Sequence, residues 1–150
     1  MQKTLVIIKP SAVRRELVGE VIARFERKGL RLAGIKMMQL TDEILNQHYA
    51  HLADKPFFLR VKQSMMLTPV VVTCWEAPDA VKAARNLIGI TNGCDAQPGT
   101  IRGDFSVNAQ ENIVHASDSD ESAQIELKRF FGKGEIFDYD YLSYNIGQPD

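Results

Sequence analysis

Cysteine is scarce: the 150 residues hold only Cys74 and Cys94, far apart and in no C-x-x-C pair. A disulfide framework or a structural zinc site needs more ligands at closer spacing, so a reducing compartment is expected. Long apolar runs are also missing. The longest, Leu5 to Ile8, is closed at once by Lys9-Pro10. A membrane span takes about 20 such residues, and a secretory leader needs a longer core than this one. No membrane partner is expected, and the location read from the sequence is cytoplasmic. Nor does charge of one sign dominate, since 18 Lys and Arg stand against 19 Asp and Glu, a formal charge of -1. Bulk attraction to nucleic acid or an anionic bilayer is therefore excluded as a basis for function. No repeat, low-complexity stretch or Gly/Ser-rich linker divides the chain, which reads as a single domain over 1–150. A phosphate-binding P-loop is absent: Gly132-Lys133 is followed by Gly134, and Leu127 stands where the first glycine belongs.

What the chain does have is an ordinary globular composition, 45% hydrophobic and 25% charged. A chain of this length buries enough surface to fold without a metal or disulfide. Thr4 to Ile8 is apolar and β-branched and predicts a buried strand. Val18, Val21, Ile22 and Phe25 recur at helical spacing, with Gly29 placed to end the helix. Leu30 to Met38 predicts a second strand, and Thr41 the cap of the next helix. Lys55-Pro56 starts another helix carrying Phe57, Phe58, Val61, Met65 and Met66. Pro69 to Trp75 predicts a strand and Pro78 to Leu87 a helix. A loop follows from Ile90 to Phe105, then a strand over Ser106 to His115 and a last helix over Ser122 to Phe131. The expected class is α+β, a ferredoxin-like split βαβ with a four-stranded antiparallel sheet and helices packed on one side. A doubly wound parallel sheet is the alternative, but no Gly-rich turn follows the first strand. Connections as long as the Ile90–Phe105 loop are uncommon inside compact domains and are often functional.

Three histidines are candidates for chemistry. His48 and His51 lie at i, i+3 on a predicted helix, but spacing supplies no third metal ligand, so the reading is an ordinary helix face. His115 ends a predicted strand and precedes the small polar run Ala116-Ser117-Asp118-Ser119. A neutral imidazole is a good nucleophile toward phosphorus. Glu126, on the following helix, can fold back to hold the second ring nitrogen. From spacing alone a structural histidine remains open. Phosphate requires cations, and Arg102 sits between glycines in Gly99-Thr100-Ile101-Arg102-Gly103-Asp104, with Arg85 and Lys9 as further candidates. Each taken alone also reads as a solvated surface charge.

Together these residues resemble the nucleoside diphosphate kinases. Asn112 to Ser119 is similar to that family's active-site signature, and Pro98 to Phe105 to the segment just upstream. Thr4 to Pro10, His48-Tyr49 and Lys55-Pro56-Phe57-Phe58 agree in order and spacing, so the resemblance runs from Lys3 to Asp138. It implies transfer of the terminal phosphate of a nucleoside triphosphate, typically ATP, to a nucleoside diphosphate, maintaining triphosphate pools. The implied route is ping-pong through a phosphohistidine on His115, with Mg²⁺ carried on the nucleotide phosphates. By the same resemblance Glu126 orients the ring and Ser117 bridges the carboxylate. Lys9, Tyr49, Arg85, Thr91 and Arg102 position and neutralise phosphates. Lys9 and Asn112 reach the sugar hydroxyls, and Phe57 stacks on the base. Stacking and sugar contacts ignore the base edge, which implies broad base specificity. The family also implies a homo-oligomer, hexamer ahead of tetramer.

The chain departs from the family pattern at Ser11-Ala12, where Asp-Gly is usual, at Asn92-Gly93, where Asn-Pro is commoner, and at Ala109, where a larger aliphatic residue often flanks the base. The missing proline is expected to cost several tenths of a kcal/mol through the unfolded chain. Three of the four tyrosines lie in 132–150, with Phe137. Such aromatics are costly to leave in water, so this tail is expected to dock on its own or a neighbouring subunit. Rival readings are a nucleotide-binding scaffold with weak catalysis and a phosphohistidine relay to another protein. The intact site set argues against the first, and competition by nucleoside diphosphates for the phosphate on His115 separates the second. A nucleic-acid module has no aromatic-basic stripe behind it.

Overall fold

The computed structural model describes residues 1–139. In chain order the elements are β1 (Gln2–Ile8), α1 (Pro10–Arg14), α2 (Val18–Lys28), β2 (Arg31–Met38), α3 (Asp42–His48), a 3₁₀ turn (Ala50–Leu52), α4 (Phe58–Met65), β3 (Val70–Ala77), α5 (Ala80–Ile88), α6 (Ile101–Phe105), β4 (Val114–Ala116) and α7 (Asp120–Phe130). The sheet runs β2-β3-β1-β4 with every neighbouring pair antiparallel. This is the expected ferredoxin-like α+β arrangement, and the parallel alternative falls.

The helices do not keep to one side, as the sequence reading expected. Val6 and Ile8 pack with Val21 and Phe25 of α2 and Ala84 and Ile88 of α5, whereas Leu5 and Ile7 pack with Leu45 of α3, Met65 of α4 and Leu127 and Phe130 of α7. Every residue of β3 is buried. Strands covered on both faces are apolar throughout instead of alternating, which is how β1 and β3 read in the sequence. On the α2/α5 face Trp75 stacks on Phe25 with ring centroids 5.0 Å apart.

Three local differences follow from turn chemistry. Lys9-Pro10 does more than stop β1: proline at the first helical position starts α1, and Ala12 behind it is fully buried. The long loop contains α6, capped where the Thr100 hydroxyl accepts the Gly103 amide at 3.0 Å. The strand expected over Ser106–His115 shrinks to Val114–Ala116. Asn108 Oδ1 accepts the Gln110 and Glu111 amides and Ser106 Oγ donates to the Asn108 and Glu111 carbonyls, so local bonds replace a ladder. α2 ends as expected at Gly29, in the left-handed region at φ 105°.

The Gly93 reading is corrected. A Cβ there would lie 2.3 Å from Ser106 Cβ and Oγ, so glycine is what lets the loop close on Ser106, and a proline would collide. The tail leaves α7 and runs along β2. Lys36 pairs with Glu135 at 3.0 Å, the Phe137 amide donates to the Ala33 carbonyl at 2.8 Å, and Arg31 bonds the Tyr139 carbonyl. The remaining tyrosines of the tail, Tyr141 and Tyr144, lie outside the described residues. Among the described residues no helix is long and apolar enough to cross a membrane.

Candidate active site

Where β1, β4 and α7 meet the α3–α4 connection and the long loop, the fold leaves a cleft of about 1000 Å³. Lys9, Tyr49, Phe57, Arg85, Thr91, Arg102, Asn112, His115 and Glu126 all line it. Ser117, the remaining site residue expected from the sequence, stands behind the cleft and is fully buried.

His115 is the central residue of β4, paired with Ile7 of β1. Just before it Ile113 is fully buried with φ 77°, a strained conformation for a β-branched side chain. α7, capped where Ser119 Oγ accepts the Ser122 amide at 3.0 Å, carries Glu126 back to the histidine. His115 Nε2 lies 3.0 Å from Glu126 Oε1 and 3.2 Å from Oε2. Ser117 Oγ donates to Oε1 at 2.6 Å. Burial opposes the charge on Glu126, but the bonds from His115 and Ser117 win and hold its pKa at about 2. An ionised carboxylate on Nε2 fixes the proton there and leaves Nδ1 with its lone pair for chemistry.

The cations line the same cleft. Lys9 follows β1 and donates from Nζ to Asn112 Oδ1 at 2.8 Å, while Asn112 Nδ2 donates to the Thr91 carbonyl at 3.0 Å. Burial, then the charge of Arg102, lowers Lys9 to about 8. Arg102, on α6, donates to the carbonyls of Asn112 at 3.1 Å, Gly89 at 3.0 Å and Val114 at 2.8 Å. Burial, then Arg85, lowers it to about 10, so it is still a cation at neutral pH. Arg85 reaches from α5 to the Ala116 carbonyl at 3.4 Å. Cations buried near one another, with Arg85 bearing on Arg102 and Arg102 on Lys9, form a standing demand for an anion. Phe57 lies at the start of α4, 38% exposed, a free aromatic face at the cleft wall. Tyr49 caps the end of α3, and burial, then Glu126, raises its phenol to about 12, so it stays a neutral donor.

Two further residues belong to the cleft: His48, read from the sequence as an ordinary helix face, and Arg129, which that reading passed over. His48 is not a plain helix face: it is buried, its ring edge meets His115 with centroids 4.6 Å apart, and its Nδ1 is 3.9 Å from Glu126 Oε2. Arg129, one turn after Glu126, reaches His48 Nδ1 at 3.0 Å. The i, i+3 relation of Glu126 and Arg129 was a usable signal, but nothing local placed α3 opposite α7. His51 lines the rim. Among the described residues His48, His115 and Glu126 are the one group whose ligand atoms come within 4.8 Å of one another. Arg129 already occupies His48 Nδ1, and His115 and Ser117 hold the carboxylate, so this donor set is committed within the protein. Mg²⁺ prefers oxygen ligands and keeps most of its water. It suits this cleft as a companion of bound phosphate, with exposed Asp118 as the remaining lining carboxylate.

The family model described as nucleoside diphosphate kinase matches residues 2–136. A nucleoside diphosphate kinase of Parabacteroides distasonis is 64% identical over 140 residues, 93% of this chain and 92% of that protein. The human nucleoside diphosphate kinase A is 46% identical over 144 residues, 96% and 95% of the two chains. Among solved structures, a halophilic nucleoside diphosphate kinase from Halobacterium salinarum in complex with CDP superposes with a TM-score of 0.94. It is 37% identical, with 97% of each chain covered.

Proposed function

The chain belongs to the nucleoside diphosphate kinase family, and from that premise we propose that its phosphotransfer runs through His115. The reaction moves the terminal phosphate of a nucleoside triphosphate to a nucleoside diphosphate, by the ping-pong phosphohistidine route general to the family. The observation that carries the residue assignment is the Glu126 carboxylate on His115 Nε2, braced by Ser117, which makes Nδ1 the nucleophilic nitrogen.

Nδ1 attacks the terminal phosphorus as the bond to the bridging oxygen breaks, and the nucleoside diphosphate leaves with that oxygen. A phosphoryl group on Nδ1 leaves the imidazolium proton on Nε2, where Glu126 holds it. A second diphosphate then attacks with a terminal oxygen, the P–N bond breaks and the imidazole is restored. Arg102, Arg85, Lys9, Tyr49 and Thr91 hold the phosphate oxygens in line, and preorganised charge of this kind supplies most of the rate in phosphoryl transfer. Asn112 and Lys9 take the sugar hydroxyls, and Phe57 stacks on the base with little regard for its edge. Bound Mg²⁺ would neutralise phosphate charge, with Asp118 as the lining carboxylate to hold it beside the nucleotide.

The assembly read here is a homo-oligomer, a hexamer ahead of a tetramer, supported by Ile35 and Met37, which remain 49% and 61% exposed on edge strand β2. Residues 1–150 act as one domain with 132–150 as its docking tail, and the enzyme works in the cytoplasm. The test is transfer of labelled terminal phosphate from ATP to a second nucleoside diphosphate with Mg²⁺. An acid-labile phosphoenzyme, absent in His115→Ala together with turnover, is the expected result. Turnover retained in His115→Ala would overturn the assigned nucleophile.

A further inference from the structure

His48 is buried and lies against His115 on one side and Phe130 on the other, with Tyr49 edge-on at 4.7 Å. It poses a problem for the neighbouring catalytic pair. A neutral imidazole carries one N–H, and with that proton on Nδ1 the ring would point a donor at Glu126 Oε2, 3.9 Å away. The carboxylate would then be shared between two histidines, and its hold on His115 would weaken.

Arg129 settles which nitrogen carries the proton. Its guanidinium lies 3.0 Å from His48 Nδ1, and a guanidinium only donates. Nδ1 must therefore be the bare acceptor, and the proton sits on Nε2, which is buried and has no hydrogen-bond partner among the described residues. A buried N–H without a partner is unfavourable, so this tautomer is imposed from outside the ring. We propose that Arg129 is a positioning residue that locks His48 in the Nε2–H tautomer and so reserves Glu126 for His115. The groups facing His48 are Glu126 and Arg129 from α7, His115 from β4, and Tyr49 and His51 beyond α3. Burial, then His115, lowers His48 to about 3 against the pull of Glu126, so the ring is neutral and the choice is between tautomers, not charge states.

The inference rests on His115 being the nucleophile, but its first readout does not. In the native protein, ¹⁵N spectra of labelled imidazoles should show His48 with bare Nδ1 and protonated Nε2 from about pH 5 to about pH 9. A protonated Nδ1 there would overturn the proposal whatever His115 does. In Arg129→Leu a population with protonated Nδ1 should appear, and kcat should fall about tenfold with nucleotide KM unchanged. Arg129→Lys, which keeps a donor, should restore both. Added to His48→Phe, Arg129→Leu should change kcat less than about twofold, because the competing nitrogen is gone. A rise in KM at constant kcat would make Arg129 a phosphate contact and overturn the proposal. So would an Arg129→Leu loss that persists undiminished in the His48→Phe background.

Discussion

On one wall of the cleft, side chains hold side chains: Ser117 and His115 close on Glu126, and Arg129 closes on His48. In the cationic part of the lining they hold mainly the backbone. Arg102 grips the carbonyls of Gly89, Asn112 and Val114, Arg85 that of Ala116, and Lys9 reaches the Thr91 carbonyl through Asn112. The His115 side sets carboxylate and guanidinium each against a neutral partner and leaves Nδ1 of His115 bare. The phosphate wall binds its cations only to dipoles, so its net positive charge waits for an anion. Tuning a nucleophile calls for a specific proton position, whereas receiving a polyphosphate calls for fixed charge on a rigid frame.

Removing Arg102 should give the largest structural effect. Arg102→Met strands three carbonyls in the interior and should cost about 3 kcal/mol, read from urea unfolding. An unchanged midpoint would mean that the phosphate wall does not depend on its own cations for shape. Glu126→Gln should leave the fold and lower turnover about a hundredfold, since the neutral amide neither fixes nor stabilises the Nε2 proton. The same variant tests the sign of the acid response. With its folded pKa near 2, below the usual carboxylate value, Glu126 contributes stability that is present above about pH 4.5 and lost as pH falls toward 2. The stability difference between native protein and Glu126→Gln should be constant above about pH 4.5 and change only as pH falls through that window.

Gly93→Pro sits in the loop behind the phosphate wall. It should destabilise by about 2 kcal/mol because of the Ser106 contact, although proline elsewhere in a loop tends to stabilise. A higher Tm would show that Ser106 yields easily. The smallest effect is a proton count. Lys9 is lowered to about 8, so from there up to its ordinary pKa the folded state binds fewer protons than the unfolded, and this group's contribution to stability rises with pH. A bound polyphosphate favours the charged amine. Binding at pH 8 should therefore take up roughly half a proton, and at pH 6 almost none, as read by calorimetry in buffers of different ionisation enthalpy. Equal uptake at both would remove Lys9 from the phosphate wall.

Much of this is legible in the sequence. The apolar runs of β1 and β3 give the sheet, and the Asn112–Ser119 and Pro98–Phe105 segments bring the main site residues with them. Ser106–His115 misled because Val107 and Ala109 stand between polar residues and Ile113-Val114 is β-branched, while Asn108 and Ser106 direct the chain into turns. α1 and α6 are five residues each, too short for a helical period to show. His48 read as a bland surface position because its partners, His115 and Arg129, lie 67 and 81 residues further along the chain. Both faces of the sheet had to be covered before α3 and α7 came together, and no local pattern carries that information.

The Lys9–Asn112 bond joins residues 103 apart in the chain, and β4 docks beside β1, which precedes the other three strands. Loops of that span close late, after the local helices have formed. On the ribosome, β1, β2 and β3 can pair while the fourth strand and α7 are still unmade. An unfinished chain thus has neither the phosphate wall nor the histidine and cannot capture nucleotide. Ligand binding becomes a late event of folding, and nucleotide-dependent protection should register the completed molecule rather than its precursors.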